Sequence, residues 1–176
     1  MNFTYYYTLN YLPTRYEASS SEWNARRAVW NFKDGYCSEE VFMNLKKTVD
    51  RIVGSDSKDD YVICFIPASS RDKTQRRFAT VAMRLETKTG ISATLEAITK
   101  PVDTGSGHIY GKSSNPTSGF SFNDEYFSNK RVILIDDVIT RGTTFHDTAI
   151  KLMHRGAKSV VGLFVAKTVL VNHMRA

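Results

Sequence analysis

The chain has 176 residues, 41% of them hydrophobic and 24% charged, the size and balance of one globular domain with its own core. No run approaches the roughly 18 apolar residues of a membrane span, and the opening MNFTYYYTLN lacks the basic and apolar regions of a signal peptide, so a cytoplasmic protein with no membrane partner is expected. Cys37 and Cys64 stand far apart and outside any CxxC pattern, which argues against a disulfide framework or a zinc site, while the formal charge of +6 fits nucleic acid and a phosphate-rich small molecule equally well.

The aromatic start resists assignment up to about Ser20. Ser21 then reads as the cap of a short helix carrying Ala25, Ala28, Val29 and Phe32 on one face, ended by Gly35. A second helix follows Ser38, with Glu39 and Glu40 in its first turn, Val41, Leu45, Val49 and Ile52 on its apolar face, and Gly54 as its stop. Residues 61–66 (YVICFI) form a continuous apolar run, the mark of a strand covered on both faces. After a loop at 67–73, Phe78, Val81, Ala82 and Leu85 recur at helical spacing as far as Gly90, and residues 91–98 alternate as a strand should.

Residues 99–122 are rich in Gly and Ser, carry Pro101 and Pro116 and have no period, so they read as a lid or binding loop bringing Lys100, His108, Tyr110 and Lys112 to a ligand. Residues 132–135 are a second buried strand, the helix through Phe145, Ala149, Leu152 and Met153 runs to Gly156, and residues 159–166 are a last strand. Strand and helix alternating in this order predict an α/β fold with a doubly wound, mainly parallel sheet.

The most informative segment is residues 132–144, VILIDDVITRGTT. A buried strand delivers Asp136 and Asp137 to its carboxyl end, where open α/β sheets bind ligands. The turn that follows opens a helix whose free N–H groups and positive dipole end suit a phosphate. Gly142 permits close backbone approach, and Thr140, Thr143 and Thr144 add hydroxyl donors. A Walker B strand end would place acids similarly but needs a P-loop, and at residues 105–113 the glycines of GSGHIYGKS are spaced five or three apart where the motif requires four.

Residues 132–144 resemble the phosphoribosyl-pyrophosphate signature of type I phosphoribosyltransferases. The resemblance implies that Asp136 and Asp137 hold the ribose 2′- and 3′-hydroxyls as the catalytic pair. It also implies that Val138, Ile139, Thr140, Arg141, Gly142, Thr143 and Thr144 surround the 5-phosphate. Arg141 stands where the family more often has Thr.

A second anion site is expected between residues 66 and 78, where Arg71, Lys73, Arg76 and Arg77 crowd a strand–helix junction with Asp72 as the lone acid. Cations in a first helical turn oppose the helix dipole, so the cluster asks for an anion. Ser69, Ser70, Arg71 and Lys73 are the expected pyrophosphate residues, with Arg76 and Arg77 given less weight. This region, with AVWNFKDG at 28–35 and GAKSVVGLFVAKT at 156–168, resembles the ComF-type, competence-associated branch. The chain departs from it in lacking the zinc-ribbon cysteines and in carrying Arg77, Phe78, Ala79 and Thr80 where that branch has Gly-Phe-Asn-Gln.

The resemblance implies one domain over 1–176, with about 1–54 as a small N-terminal hood and 61–170 as the core. It implies an enzyme, a pentosyltransferase, that uses 5-phosphoribosyl 1-pyrophosphate and magnesium, the metal held mainly by that substrate near Asp136 and Asp137. Phosphoribose would pass to or from a nucleobase-like nitrogen acceptor. The rival reading is a non-catalytic regulator that binds the same ligand, or a DNA-uptake-associated module. A homodimer is compatible with the resemblance, and nucleic acid is compatible with the charge but not favoured. His108, His146, His154 and His173 form no pair with metal-ligand spacing, and Tyr5, Tyr6, Tyr7, Trp23 and Trp30 are packing residues or a surface for a base.

Overall fold

The computed structural model of the chain describes residues 2–100 and 117–169. The sheet has strand order β1 (Tyr5–Tyr11), β7 (Ser159–Thr168), β6 (Arg131–Ile139), β2 (Tyr61–Phe65) and β3 (Ala93–Thr94), and every neighbouring pair is parallel. The both-face apolar runs account for its centre. Along β2 and β6, Ile63, Phe65, Ile133 and Ile135 point to one core, and Val62, Cys64, Val132 and Leu134 point to the other. Helices α1 (Ser20–Lys33), α2 (Glu39–Val53) and α3 (Arg71–Thr89) supply Phe32, Leu45 and Phe78 to the first core; α4 (Thr143–His154) supplies Phe145, Ala149 and Leu152 to the second. The sheet is therefore doubly wound, as the alternating pattern predicts.

Several boundaries differ from the sequence reading. The unassigned aromatic start is the edge strand β1, so the N-terminal segment contributes to the main sheet as well as covering it. Its alternation is masked because both faces are aromatic: Tyr5 packs on the α4 side and Tyr6 on the other. Among three successive serines it is Ser19, not Ser21, that caps α1, because Glu22 stands at the third helical position and accepts from Ser19 N–H at 2.7 Å. Residues 91–98 are not one strand. Ile91 packs in the first core and Ile98 in the second, so the chain crosses between faces. Only Ala93 and Thr94 pair with β2, and β4 (Ile98–Thr99) pairs antiparallel with β5 (Ser121–Phe122) in a separate small sheet. The expected lid at 99–122 falls mostly on residues 101–116, which lie outside the described residues.

Two packing details set the position of the N-terminal helix. Arg26, 2% exposed, donates from Nε to Leu12 O at 2.8 Å and from Nη2 to Pro13 O and Tyr16 O at 2.7 Å, so a buried cation is satisfied by carbonyls alone. Gly35, at φ +94°, then lies so close to α3 that a Cβ would stand 2.5 Å from Arg76 O.

On β7, a Cβ at Gly162 would come within 2.8 Å of the rings of Phe145 and Phe164, which pack edge-to-face at 5.4 Å. Both rings are buried and close-packed against each other, so room for a methyl comes only by displacing them. Gly162→Ala should therefore destabilise the fold by about 1–3 kcal/mol, the cost of overpacking. Urea unfolding checks this, and an unchanged midpoint would show that the rings yield freely.

Candidate functional site

The site begins where the ladder between β2 and β6 stops. Their last paired residues are Phe65 and Ile135, whereas the β6–β7 ladder continues to Ile139 and Lys167. Ile66 N–H closes the first ladder by donating to Ile135 O at 3.0 Å. Residues 136–139 thus run on past their neighbour, and Asp136, Val138 and Ile139 line a crevice at the carboxyl end of the sheet, whereas Asp137 is buried behind it. The strand is longer than the expected 132–135, and Asp136 and Asp137 lie within it.

Both acids turn back on their own backbone. Asp136 Oδ1 accepts from Asp137 N–H at 2.8 Å, and Asp137 Oδ1 accepts from Val138 N–H at 2.6 Å. These N–H groups stand where the pairing with β2 has ended. Asp137 Oδ2 lies 2.6 Å from Arg77 Nη1, with the two side chains 10% and 17% exposed. The contact is not aligned as a hydrogen bond, so Asp137 Oδ2 and Arg77 Nε are both buried without a hydrogen-bond partner. Burial, then the charge of Asp137, pushes the Asp136 carboxyl well above its ordinary range; Asp137 N–H, Arg77 and Lys33 oppose the shift.

Beyond the acids, Gly142 takes the left-handed conformation at φ +76° and caps α4 with no side-chain hydrogen bond. Ser19, Ser38 and Ser70 each cap their helices through the side chain, and α4 alone has no acid in its first turn. Its first N–H groups and dipole are left for an anion. Thr140 Oγ1 is held 2.8 Å from Thr168 Oγ1, which ties the turn to the end of β7. A cleft of about 320 Å³ is lined by Ile66, Asp136, Phe164 and residues 138–145, and so brings together Asp136 and every residue expected to surround the phosphate. A second cleft of about 400 Å³ opens on the other side of the same turn, against Phe3, Tyr5 and His146.

The expected pyrophosphate residues lie at the adjacent strand–helix junction, and none of them is paired with the acids. Ser70 Oγ accepts from Lys73 N–H at 3.3 Å, so Arg71 and Lys73 belong to the first turn of α3 and not to the loop. Arg71, 69% exposed, points to Glu96 at 3.6 Å, and Ser69 and Lys73 are exposed. Arg77, which the sequence reading weighted less, is the cation at the acids. Its signal was its place in the buried stripe of Thr74, Phe78, Val81 and Ala82. A cation there needs a buried counter-charge. Lys33, at the end of α1, was missed altogether.

Among the described residues no group of three or more His, Cys, Asp or Glu is placed to hold a metal ion. The acid pair is a poor resident magnesium site, because two carboxylate oxygens accept backbone N–H groups and a third lies against Arg77. Nor is any described helix long and apolar enough to cross a membrane.

No family model matches the sequence, and no curated protein matches it. Solved structures do. Glutamine phosphoribosylpyrophosphate amidotransferase from B. subtilis, complexed with ADP and GMP, is 22% identical with a TM-score of 0.50, and the match covers 78% of this chain and 30% of that one. The asparagine mutant from an analysis of an invariant aspartic acid in HPRTs is 9% identical, also at 0.50, over 80% of this chain and 76% of that one. The glutamic acid mutant of the same analysis is 10% identical at 0.50, over 80% and 78%. This chain thus spans under a third of the amidotransferase but most of the two mutants. The shared feature is the architecture: a mainly parallel α/β sheet of the type I phosphoribosyltransferase fold.

Proposed function

We propose that the chain is a phosphoribosyltransferase that binds 5-phosphoribosyl 1-pyrophosphate and joins its phosphoribose to a nitrogen acceptor, releasing pyrophosphate. The observation that carries this reading is a single cleft holding both an uncapped helix N-terminus with its left-handed Gly142 and the carboxylate of Asp136. The N–H groups of Thr143 and Thr144 take the 5-phosphate, and Asp136 and Asp137 accept hydrogen bonds from the ribose hydroxyls. The bond from the anomeric carbon to pyrophosphate breaks with its electron pair leaving on the pyrophosphate oxygen, and the acceptor nitrogen supplies the pair for the new bond. The Asp137 carboxylate supports the positive charge that develops on the sugar between these events. Magnesium enters as part of the substrate, on its pyrophosphate.

Ser69, Ser70, Arg71 and Lys73 are the residues we assign to the pyrophosphate. Arg71 meets it by giving up Glu96, a loose contact between exposed side chains that is worth little. The ComF-type branch remains our closer reading within the superfamily. Its support is that residues 28–35, which carry that resemblance, place Gly35 against α3.

Calorimetric titration with 5-phosphoribosyl 1-pyrophosphate and magnesium, followed by pyrophosphate release with a panel of nucleobases and amines, tests the proposal. Binding with turnover of an acceptor is expected. Binding without turnover of any acceptor would make the protein a regulator, and absence of binding would end the reading. Arg71→Ala with Lys73→Ala should weaken the pyrophosphate ligand by about tenfold or more, the loss of one charge-assisted contact, and leave ribose 5-phosphate within about twofold. Equal losses for both ligands would show the loop to be wrongly assigned.

A further inference from the structure

The ion pair between Arg77 and Asp137 calls for an explanation that a merely structural role does not give. It joins the second turn of α3 to the acid pair of β6, leaves one buried donor and one buried acceptor without hydrogen bonds, and sits at the ligand-facing end of the sheet. Native proteins seldom leave such atoms unsatisfied, because each forfeits the hydration it had in the unfolded chain. The two orphaned atoms lie in the cluster around Asp136, the acid that lines the cleft. Asp137 Oδ2, beside a guanidinium but not hydrogen-bonded to it, retains a lone pair for a hydroxyl donor, and Arg77 Nε–H remains a donor for a ligand oxygen.

Charge leads to the same place. Two adjacent carboxylates at a strand end would ordinarily attract a divalent cation. Here Arg77 lies against one of them, 2.6 Å from Asp137 Oδ2. Three of the four carboxylate oxygens are turned to backbone N–H groups or to Arg77. A guanidinium also differs from a metal ion in kind. It is fixed to the helix, present before the ligand arrives, and leaves the carboxylate free to accept a hydrogen bond where a metal would occupy it.

Building on the phosphosugar reading above, we propose that Arg77 is a positioning residue that takes the place of a divalent cation at Asp137, so that the ribose 5-phosphate half of the ligand binds without metal. Magnesium is then needed only where the ligand itself carries a pyrophosphate to hold it. Arg77 acts through Asp137: it fixes the carboxylate and balances its charge, while the carboxylate meets the sugar.

Ribose 5-phosphate is the discriminating probe, because it lacks the pyrophosphate that would bring magnesium with it. Its affinity is measured by titration calorimetry in EDTA and in magnesium, for the wild type, Arg77→Gln and Arg77→Lys, with the pyrophosphorylated sugar as a parallel ligand. The wild type should bind ribose 5-phosphate within about twofold in the two conditions. Arg77→Gln should lose about tenfold in EDTA, the scale of one charge-assisted contact, and recover several-fold of it in magnesium. Arg77→Lys, which keeps the charge, should stay close to the wild type. A change in packing alone would alter affinity equally with and without metal. The proposal is overturned if the wild type needs magnesium to bind ribose 5-phosphate, a test that requires no variant to fold. It is also overturned if Arg77→Gln matches the wild type in both conditions, or if the Lys variant is as metal-dependent as the Gln variant. A wild type that binds neither sugar in either condition removes the phosphosugar reading itself.

Discussion

Asp136→Asn is expected to raise the melting temperature at neutral pH and to weaken ribose 5-phosphate by only a few-fold, since a neutral acid gives way to a neutral amide, whereas Asp137→Asn should weaken the ligand by about tenfold or more and lower the melting temperature. The two acids are neighbours in sequence but not in environment. Asp136 sits partly buried beside a second carboxylate, and burial followed by that charge lifts its carboxyl to about 8. Between the ordinary carboxylate range and that raised value, the folded chain binds a proton that the unfolded chain has released, so stability falls as pH rises through the interval. An amide removes this penalty. The gain from Asp136→Asn should be near zero at about pH 4 and reach about 3 °C or more near pH 8, the response to roughly 1 kcal/mol in a chain of this size. Asp137 has the opposite surroundings. Neutralising it leaves Arg77 largely buried without its counter-charge, which costs up to about 3 kcal/mol once partial exposure is allowed for. Melting curves across the pH range decide the matter. A difference between Asp136→Asn and wild type that does not vary with pH would mean that Asp136 is an ordinary, ionised carboxylate.

Such a pair shows what can be read from sequence and what cannot. The strands at 61–65 and 159–168 were legible because a parallel strand buried on both faces must be apolar at successive positions, and few other elements look like that. The strand end, turn and helix start from Val138 to Thr144, which we propose as the phosphate cradle, were legible because they follow one another along the chain. Arg77 was not, since its partner lies 60 positions away and only the packing of α3 on the sheet brings the two together. Lys33 was hidden for the same reason. The edge strand β1 escaped because an edge needs no uniform apolar run, and its tyrosines satisfied both faces at once. Residues 91–98 misled in the other direction. Their alternation is real, but the chain spends it on crossing between cores, and a strand exists only where a neighbour supplies hydrogen bonds.

Gly142→Ala should cost the fold little and the ligand much. Gly142 stands at φ +76°, a conformation that costs a residue with a Cβ roughly 1 kcal/mol. The space itself is adequate, since the new Cβ would meet Ile139 Cδ1 at 3.4 Å, an ordinary contact. The chain can relieve the strain only by rotating the peptide that caps α4, and that rotation turns the first N–H groups away from the cleft they line. These groups are the proposed cradle, and α4 has no side-chain cap to replace them. Gly90 provides the control. It takes the same left-handed conformation, at φ +74°, ends α3 away from the residues lining the cleft and would place a Cβ in ordinary contact with the Lys58 side chain at 3.6 Å, so Gly90→Ala carries the backbone cost without the functional one. Both variants should lose about 1 kcal/mol in urea unfolding. Only Gly142→Ala should lose affinity for ribose 5-phosphate, by about tenfold or more, because charge-assisted hydrogen bonds from backbone N–H groups to phosphate are lost with the rotated turn. Equal affinity in the two variants would mean that the phosphate is held by the threonine hydroxyls and Arg141, and that the helix N-terminus contributes only its position.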